Sequence, residues 1–166
     1  MPPPKRYWDS SVFLDWIKEV AGHCETCDLI LSDAQSTPPK CLIYTSAIAL
    51  AEVTKERKGP LAVGKELEEK ITKFFQNDYM VIVPLDRVIA ERARRLIWDF
   101  PFLKPRDAIH LATALAARVD VIEAYDSDFA RVARQVEEQK IPGFPPIREP
   151  EWTGQPDLPG TPAPTA

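Results

Sequence analysis

Long apolar stretches are missing from this sequence. No run approaches the roughly 20 residues that a membrane helix requires. The opening segment, Met1 to Arg6, is Pro-rich and basic with no apolar stretch behind it, so it does not read as a secretory leader. A soluble cytoplasmic protein without a membrane contact is the expectation. Basic excess is missing as well: 21 Lys and Arg stand against 25 Asp and Glu, a net charge of −4. A broad cationic surface is thereby excluded, and nucleic acid would have to be held by a local groove or by metal ions. Glycines number six, and no Gly-rich phosphate loop, dinucleotide fingerprint or G-x-S-x-G turn occurs among them. Cysteines number three. His23-Cys24-Glu25-Thr26-Cys27 invites a metal reading, but a structural zinc takes four ligands, usually as two close pairs. Cys41 stands alone and His110 is far along the chain. A redox C-x-x-C needs a helix start in a thioredoxin-like setting, which is not evident. Free cytosolic thiols are the plainer reading, and a zinc-binding interaction protein using His23, Cys24, Cys27 and Cys41 is the alternative.

What is present is enough for one domain. A chain of 166 residues with 45% apolar content can bury a core. Prolines crowd its end (Pro142, Pro145, Pro146, Pro150, Pro156, Pro159, Pro162, Pro164), which divides a folded domain over 1–150 from a flexible Pro-rich tail over 151–166. Strands are expected at Tyr7–Ser11, Lys40–Thr45, Met80–Val83 and Val119–Ile122, with a short edge strand around Pro146–Arg148. Between them lie helical patterns. One carries Val12, Phe13, Leu14, Trp16, Ile17 and Val20 inward. The next runs from Ser46 to Val53 and is capped by Thr45 or Ser46. After a break at Gly59-Pro60, an amphipathic helix over Leu61–Gln76 turns Leu67, Ile71, Phe74 and Phe75 inward. Further helices are expected over Arg87–Trp98, from Asp107 as the cap after Pro105, and over Phe129–Val136. Strand alternating with helix implies an α/β fold around a parallel sheet.

Parallel strands deliver their C-terminal ends to one edge, where sites form. Asp9, Glu52, Asp107 and Asp126 each fall on a strand end or an adjacent helix, with Asp128 close by. Singly each has a plain reading: Asp9 as a helix cap, Glu52 as a solvated face residue. Together, without matching Lys or Arg, they would repel, so some must protonate or a hard cation must neutralise them. Mg²⁺ and Mn²⁺ prefer such oxygen ligands, and a metal of this kind suits in-line hydrolysis of a phosphodiester. His110, on an Ala- and Leu-rich helix, reads as a hydrogen-bonded core residue and not as a ligand. The arginines of the Arg87–Trp98 helix (Arg87, Arg92, Arg94, Arg95) read first as solvated.

The segments WDSSVFLDWI, TSAIALAEV, KPRDAIHLATALA and AYDSDF resemble, in order and across almost the whole chain, the PIN-domain ribonucleases, and within them the VapC toxins of bacterial toxin–antitoxin pairs. The resemblance implies a three-layer α/β/α fold with a central parallel sheet of about four or five strands and an acidic metal pocket. It implies that Asp9, Glu52, Asp107 and Asp126 are catalytic acids holding Mg²⁺ or Mn²⁺, with Asp128 at a further metal position. It implies hydrolysis of RNA, an antitoxin protein as partner, and a homodimer. Arg106 and the Arg87–Arg95 helix become phosphate contacts. One departure is Ala124, where the family often has Thr or Ser two residues before the fourth acid; Ser127 or Ser10 would take over that support. A housekeeping RNA-processing nuclease and a non-catalytic PIN-like module are the alternatives, and the intact acid set argues against the second.

Overall fold

The computed structural model describes residues 2–54 and 64–154. Its elements are β1 (Lys5–Trp8), α1 (Ser10–Ile17), α2 (His23–Gln35), β2 (Leu42–Ser46), α3 (Ala49–Glu52), α4 (Lys65–Phe75), β3 (Met80–Val83), α5 (Arg87–Asp99), α6 (Pro105–Ala117), β4 (Val121–Glu123), α7 (Ser127–Gln139) and β5 (Ile147–Arg148). The five strands form one parallel sheet in the order β3-β2-β1-β4-β5. Helices cover both faces, giving the three-layer α/β/α architecture.

β1 is the centre of the sheet, and its period of two divides the core. Tyr7 packs into the cluster with Ile89, Leu96, Leu111 and Phe129 from α5, α6 and α7. Trp8 points the other way, to Val12, Phe13, Cys27, Ile30 and Phe74 from α1, α2 and α4. Phe13 is the hinge of that second cluster, with ring centroids 5.5 Å from Trp8, 5.8 Å from Phe74 and 5.1 Å from Phe75. Aromatic contacts at such distances add to the burial itself, and truncating a core Phe costs about 3–5 kcal/mol. β1 also carries a charge into the interior. The Arg6 guanidinium pairs with Glu123 of β4, which is fully buried and also accepts from the Trp8 indole at 2.8 Å.

Several boundaries differ from the sequence expectation for physical reasons. β1 ends at Trp8 because Asp9 turns the chain as the cap of α1: its Oδ1 accepts from the Ser11 N–H at 3.1 Å. The helix before Glu52 is a single turn, Ala49–Glu52, with no side-chain cap, since β2 runs on through Ser46. Asp107 is not a cap. Lys104 holds that position, Pro105 opens α6, and Asp107 sits in its first turn. The HCETC segment opens α2, whose buried Cys27, Ile30, Leu31 and Ala34 follow helical spacing, with cysteine serving as a small apolar residue. α4 begins at Lys65; the expected break at Gly59-Pro60 and the helix positions 61–63 lie outside the described residues. Contacts run past Pro150, where Arg6 donates to the Glu151 carbonyl at 2.7 Å and the Trp152 indole donates to Asp33 at 2.8 Å.

The strand order places a switch point at β1. From β1 the chain winds outward through β2 and β3, then crosses back to β4 on the other flank. The crevice of such a sheet opens beyond the C-terminal ends of the strands that part there, which here are β1, ending at Trp8, and β4, ending at Glu123.

Candidate active site

Two acids lie just beyond these strand ends, Asp9 immediately after β1 and Asp126 three residues after β4. Asp9 is 5% exposed, and its Oδ1 accepts from both the N–H and the hydroxyl of Ser11, the latter at 2.5 Å. Burial pushes its carboxyl up to about 6, with Asp126 adding to the rise while His110 and Ser11 oppose it. Asp126 caps α7 by accepting from the Asp128 N–H at 2.7 Å. The third acid, Asp107, comes from the first turn of α6. Burial raises its pKa, and the neighbouring Asp126 and Asp128 raise it further, while Lys104 and His110 oppose the rise without cancelling it. Its Oδ2 is buried with no hydrogen-bond partner among the described residues. Asp126 thus lies within electrostatic reach of both Asp9 and Asp107, and no Lys or Arg among the described residues makes an ion pair with any of the three.

The remaining two acids are compensated, which corrects the expectation of a wholly unpaired set. Glu52 faces His110 Nε2 at 2.7 Å, accepts from the Ser10 hydroxyl at 2.5 Å and pairs with Arg106 at 3.3 Å. Burial alone would raise its pKa, but these partners outweigh burial and hold it below the ordinary value. Asp128 lies 3.7 Å from the Lys104 ammonium. The cations at this edge therefore come from the start of α6, the same turn that supplies Asp107.

Whether such a set fits a divalent cation can be judged from its atoms. A buried carboxylate oxygen without a donor is costly unless something positive meets it, and Asp107 Oδ2 is such an atom. The donors are hard oxygens, suited to Mg²⁺ or Mn²⁺. Among the described residues, no group of three or more His, Cys, Asp or Glu side chains is gathered closely enough to hold a metal ion by itself. That is compatible with Mg²⁺, which is usually held by one or two carboxylates and completes its shell with water.

The profile of the PIN domain matches residues 6–135. The chain belongs to the PIN-domain family. No curated protein matches it in a sequence search. Two solved structures share its fold. One is titled "Toxin-antitoxin complex from Klebsiella pneumoniae": it is 23% identical, with a TM-score of 0.55, and the match covers 87% of this chain and 97% of that one. The other is titled "Crystal structure of VapBC2 from Rickettsia felis bound to a DNA fragment from their promoter": it is 15% identical, with the same TM-score and the same coverage.

Within this PIN domain the hydroxyl support comes from Ser10, one of the two residues expected, and from Ser11, which was not. Ala124 is buried, and Ser127 is exposed. Ser11 ties the two strand ends together: it donates to Asp9 and accepts from the Tyr125 N–H at 2.9 Å. Ser10 supports Glu52. The position of Ser11 two residues after a capping Asp was the available signal, because that spacing favours a side-chain bond to the cap. His110 is buried and hydrogen-bonded as expected, and its partner is Glu52, so it joins the acid cluster as well as the core.

The cysteine-rich segment does not assemble a metal site among the described residues. His23 pairs with Asp15 at 2.8 Å and stacks on Tyr125 with centroids 3.6 Å apart. Cys27 and Cys41 are buried, and burial pushes their thiols up to about 12 and about 11. On α5 the arginines are exposed. Arg87 pairs with Glu91 at 2.8 Å, and Arg94 and Arg95 lie over the Trp98 ring. Among the described residues, no helix is long and apolar enough to cross a membrane.

Proposed function

We propose that this PIN domain is a metal-dependent endoribonuclease that hydrolyses phosphodiester bonds of RNA and acts as the toxin of a toxin–antitoxin pair. The observation that carries the catalytic part is the acid edge at the β1/β4 switch point, where Asp107 Oδ2 has no donor and the Asp9 carboxyl is raised by burial. Asp126, in electrostatic reach of both Asp9 and Asp107, forms with them an acid edge without an ion-paired Lys or Arg, and such an edge gains stability from a divalent cation. Support for the toxin part comes from the two toxin–antitoxin complexes that share the fold at TM-score 0.55. Assembly as a homodimer belongs to the same reading.

In this proposal Asp9, Asp107 and Asp126 would hold Mg²⁺ or Mn²⁺, with Glu52 alongside and Asp128 at the margin. Bound there, the cation would supply a water activated for attack and neutralise charge on the phosphate. The chain's own residues do the rest. Ser11 and the cap geometry fix Asp9 Oδ1 toward the protein. Ser10 and His110 fix Glu52. Arg106, whose side chain is 66% exposed, is free to leave Glu52 for a phosphate oxygen of the RNA, and Lys104 can do the same from Asp128. No protein nucleophile is needed.

The test is cleavage of single-stranded RNA by the purified chain with Mn²⁺ or Mg²⁺ and with EDTA. Cleavage should require the metal, and Asp107→Asn should lower the rate by at least about 100-fold, since an amide keeps the shape but not the charge. Undiminished cleavage in EDTA overturns the metal reading.

A further inference from the structure

Glu52 is gripped from behind. Its Oε2 accepts from the Ser10 hydroxyl at 2.5 Å and lies 2.7 Å from His110 Nε2, and the Ser10 oxygen is 3.1 Å from the same nitrogen. On the far side of the ring, His110 Nδ1 meets the Tyr7 hydroxyl at 2.8 Å. Tyr7 and His110 are 0% and 2% exposed. An ionised carboxylate can only accept, so Nε2 carries the hydrogen. In the neutral ring Nδ1 is then the acceptor of the hydrogen bond that the Tyr7 hydroxyl donates. Oε2 is thereby occupied on the protein side. The other oxygen, Oε1, is left toward the cleft, where Arg106 is its ion-pair partner.

We propose that His110 is a positioning residue of the metal site: together with Tyr7 and Ser10 it locks Oε2 of Glu52 inward and presents Oε1 to the cation. The inference rests on the metal-dependent reading above. A buried histidine on an apolar helix is ordinarily satisfied by whatever lies nearest, with no consequence beyond stability. Here the ring bridges a core hydroxyl from β1 and a cleft acid from α3, and both nitrogens are taken by side chains. The arrangement gives Glu52 one orientation, which its place on a single-turn helix would not. Partners that orient a metal ligand from behind are worth about 10- to 100-fold in metal affinity.

The experiment measures Mn²⁺ affinity by calorimetry on the full chain and its variants. His110→Met keeps bulk and loses the donor; it should bind Mn²⁺ about 10- to 100-fold more weakly. His110→Gln keeps a donor near the Nε2 position and should recover most of that loss. In a Glu52→Gln background, His110→Met should cost nothing further, whereas a purely structural role would give the same loss in both backgrounds. Nitrogen-15 spectra of the imidazole should show hydrogen on Nε2. If His110→Met fails to fold, Tyr7→Phe serves instead: it removes the hydrogen bond donated to Nδ1 and should also weaken Mn²⁺ binding. Unchanged affinity in the folded His110→Met or Tyr7→Phe variant, or hydrogen on Nδ1, overturns the inference while the metal reading stands. A wild-type chain that binds no Mn²⁺ overturns both.

Discussion

At the residue scale the informative feature is a carboxyl placed where it resists ionisation. Asp9 titrates near 3.8 when solvated and is pushed up to about 6 in the fold, chiefly by burial. A raised folded-state pKa means that the folded chain holds the proton more tightly than the unfolded chain. The stabilisation is full below about 3.8 and is lost as pH rises through about 6. The shift corresponds to a loss on the order of 3 kcal/mol. Glu52 runs the other way, because its lowered pKa favours folding above the unfolded value, so the total curve mixes opposing slopes. The difference between wild type and Asp9→Asn isolates the first. Urea unfolding at pH 4 and pH 7 should show the variant gaining on wild type as pH rises, and parallel curves would remove Asp9 from the buried acid set. Added Mn²⁺ should stabilise wild type at pH 7, where the carboxylate is charged, and should leave Asp9→Asn little changed.

At the element scale, most of the sheet was legible and several helix boundaries were not. Met80–Val83 reads as a strand from its apolar run, and the observed β3 has those bounds. Asp9 and Asp126 were legible as acids at strand ends because helix caps follow short strands. α2 is hard to read because two of its first five residues are cysteines and its apolar face is only Cys27, Ile30, Leu31 and Ala34 among polar neighbours. The Arg6–Glu123 pair could not be read at all, since 117 residues separate its partners and only the β1/β4 register brings them together. That pair gives an element-level prediction. Glu123→Gln leaves the Arg6 charge without its counter-ion, and losing one member of a buried pair costs about 3–5 kcal/mol; a stability change below about 1 kcal/mol would show the pair to be solvated. The chain end gives a second. Truncation after Pro150 removes the Glu151 carbonyl from Arg6 and the Trp152 indole from Asp33. At about 1 kcal/mol for each bond, the melting temperature should fall by roughly 4–8 °C relative to a chain ending at Gly154. Equal melting temperatures would show that these contacts contribute nothing.

At the scale of the whole molecule, the proposed toxin reading raises the question of what would occupy the acid edge in an inhibited complex. The chain carries a net charge of −4, and the two cations at the edge, Arg106 and Lys104, are already paired with Glu52 and Asp128. Asp9, Asp107 and Asp126 keep no such partner among the described residues. An inhibitor that presents an arginine could satisfy two carboxylate oxygens at once, competing for the same acids as a divalent cation. The surface around Trp16 that would carry the rest of such a segment is not a bare apolar trough. Phe74 and Phe75 are buried, and Trp16 is dressed by Asp28 on its indole nitrogen and by Lys70 over its ring. A partner seated beside Trp16 must therefore bring polar as well as apolar groups. The prediction is that a small partner protein co-purifies with this chain when expressed with it and suppresses RNA cleavage, and that replacing one of its arginines with Ala restores activity by at least 10-fold. High Mn²⁺ should weaken the suppression, because cation and arginine contend for the same oxygens. Inhibition indifferent to Mn²⁺ would place the partner away from the acids, and cleavage undiminished in the co-expressed sample would leave a nuclease without an antitoxin.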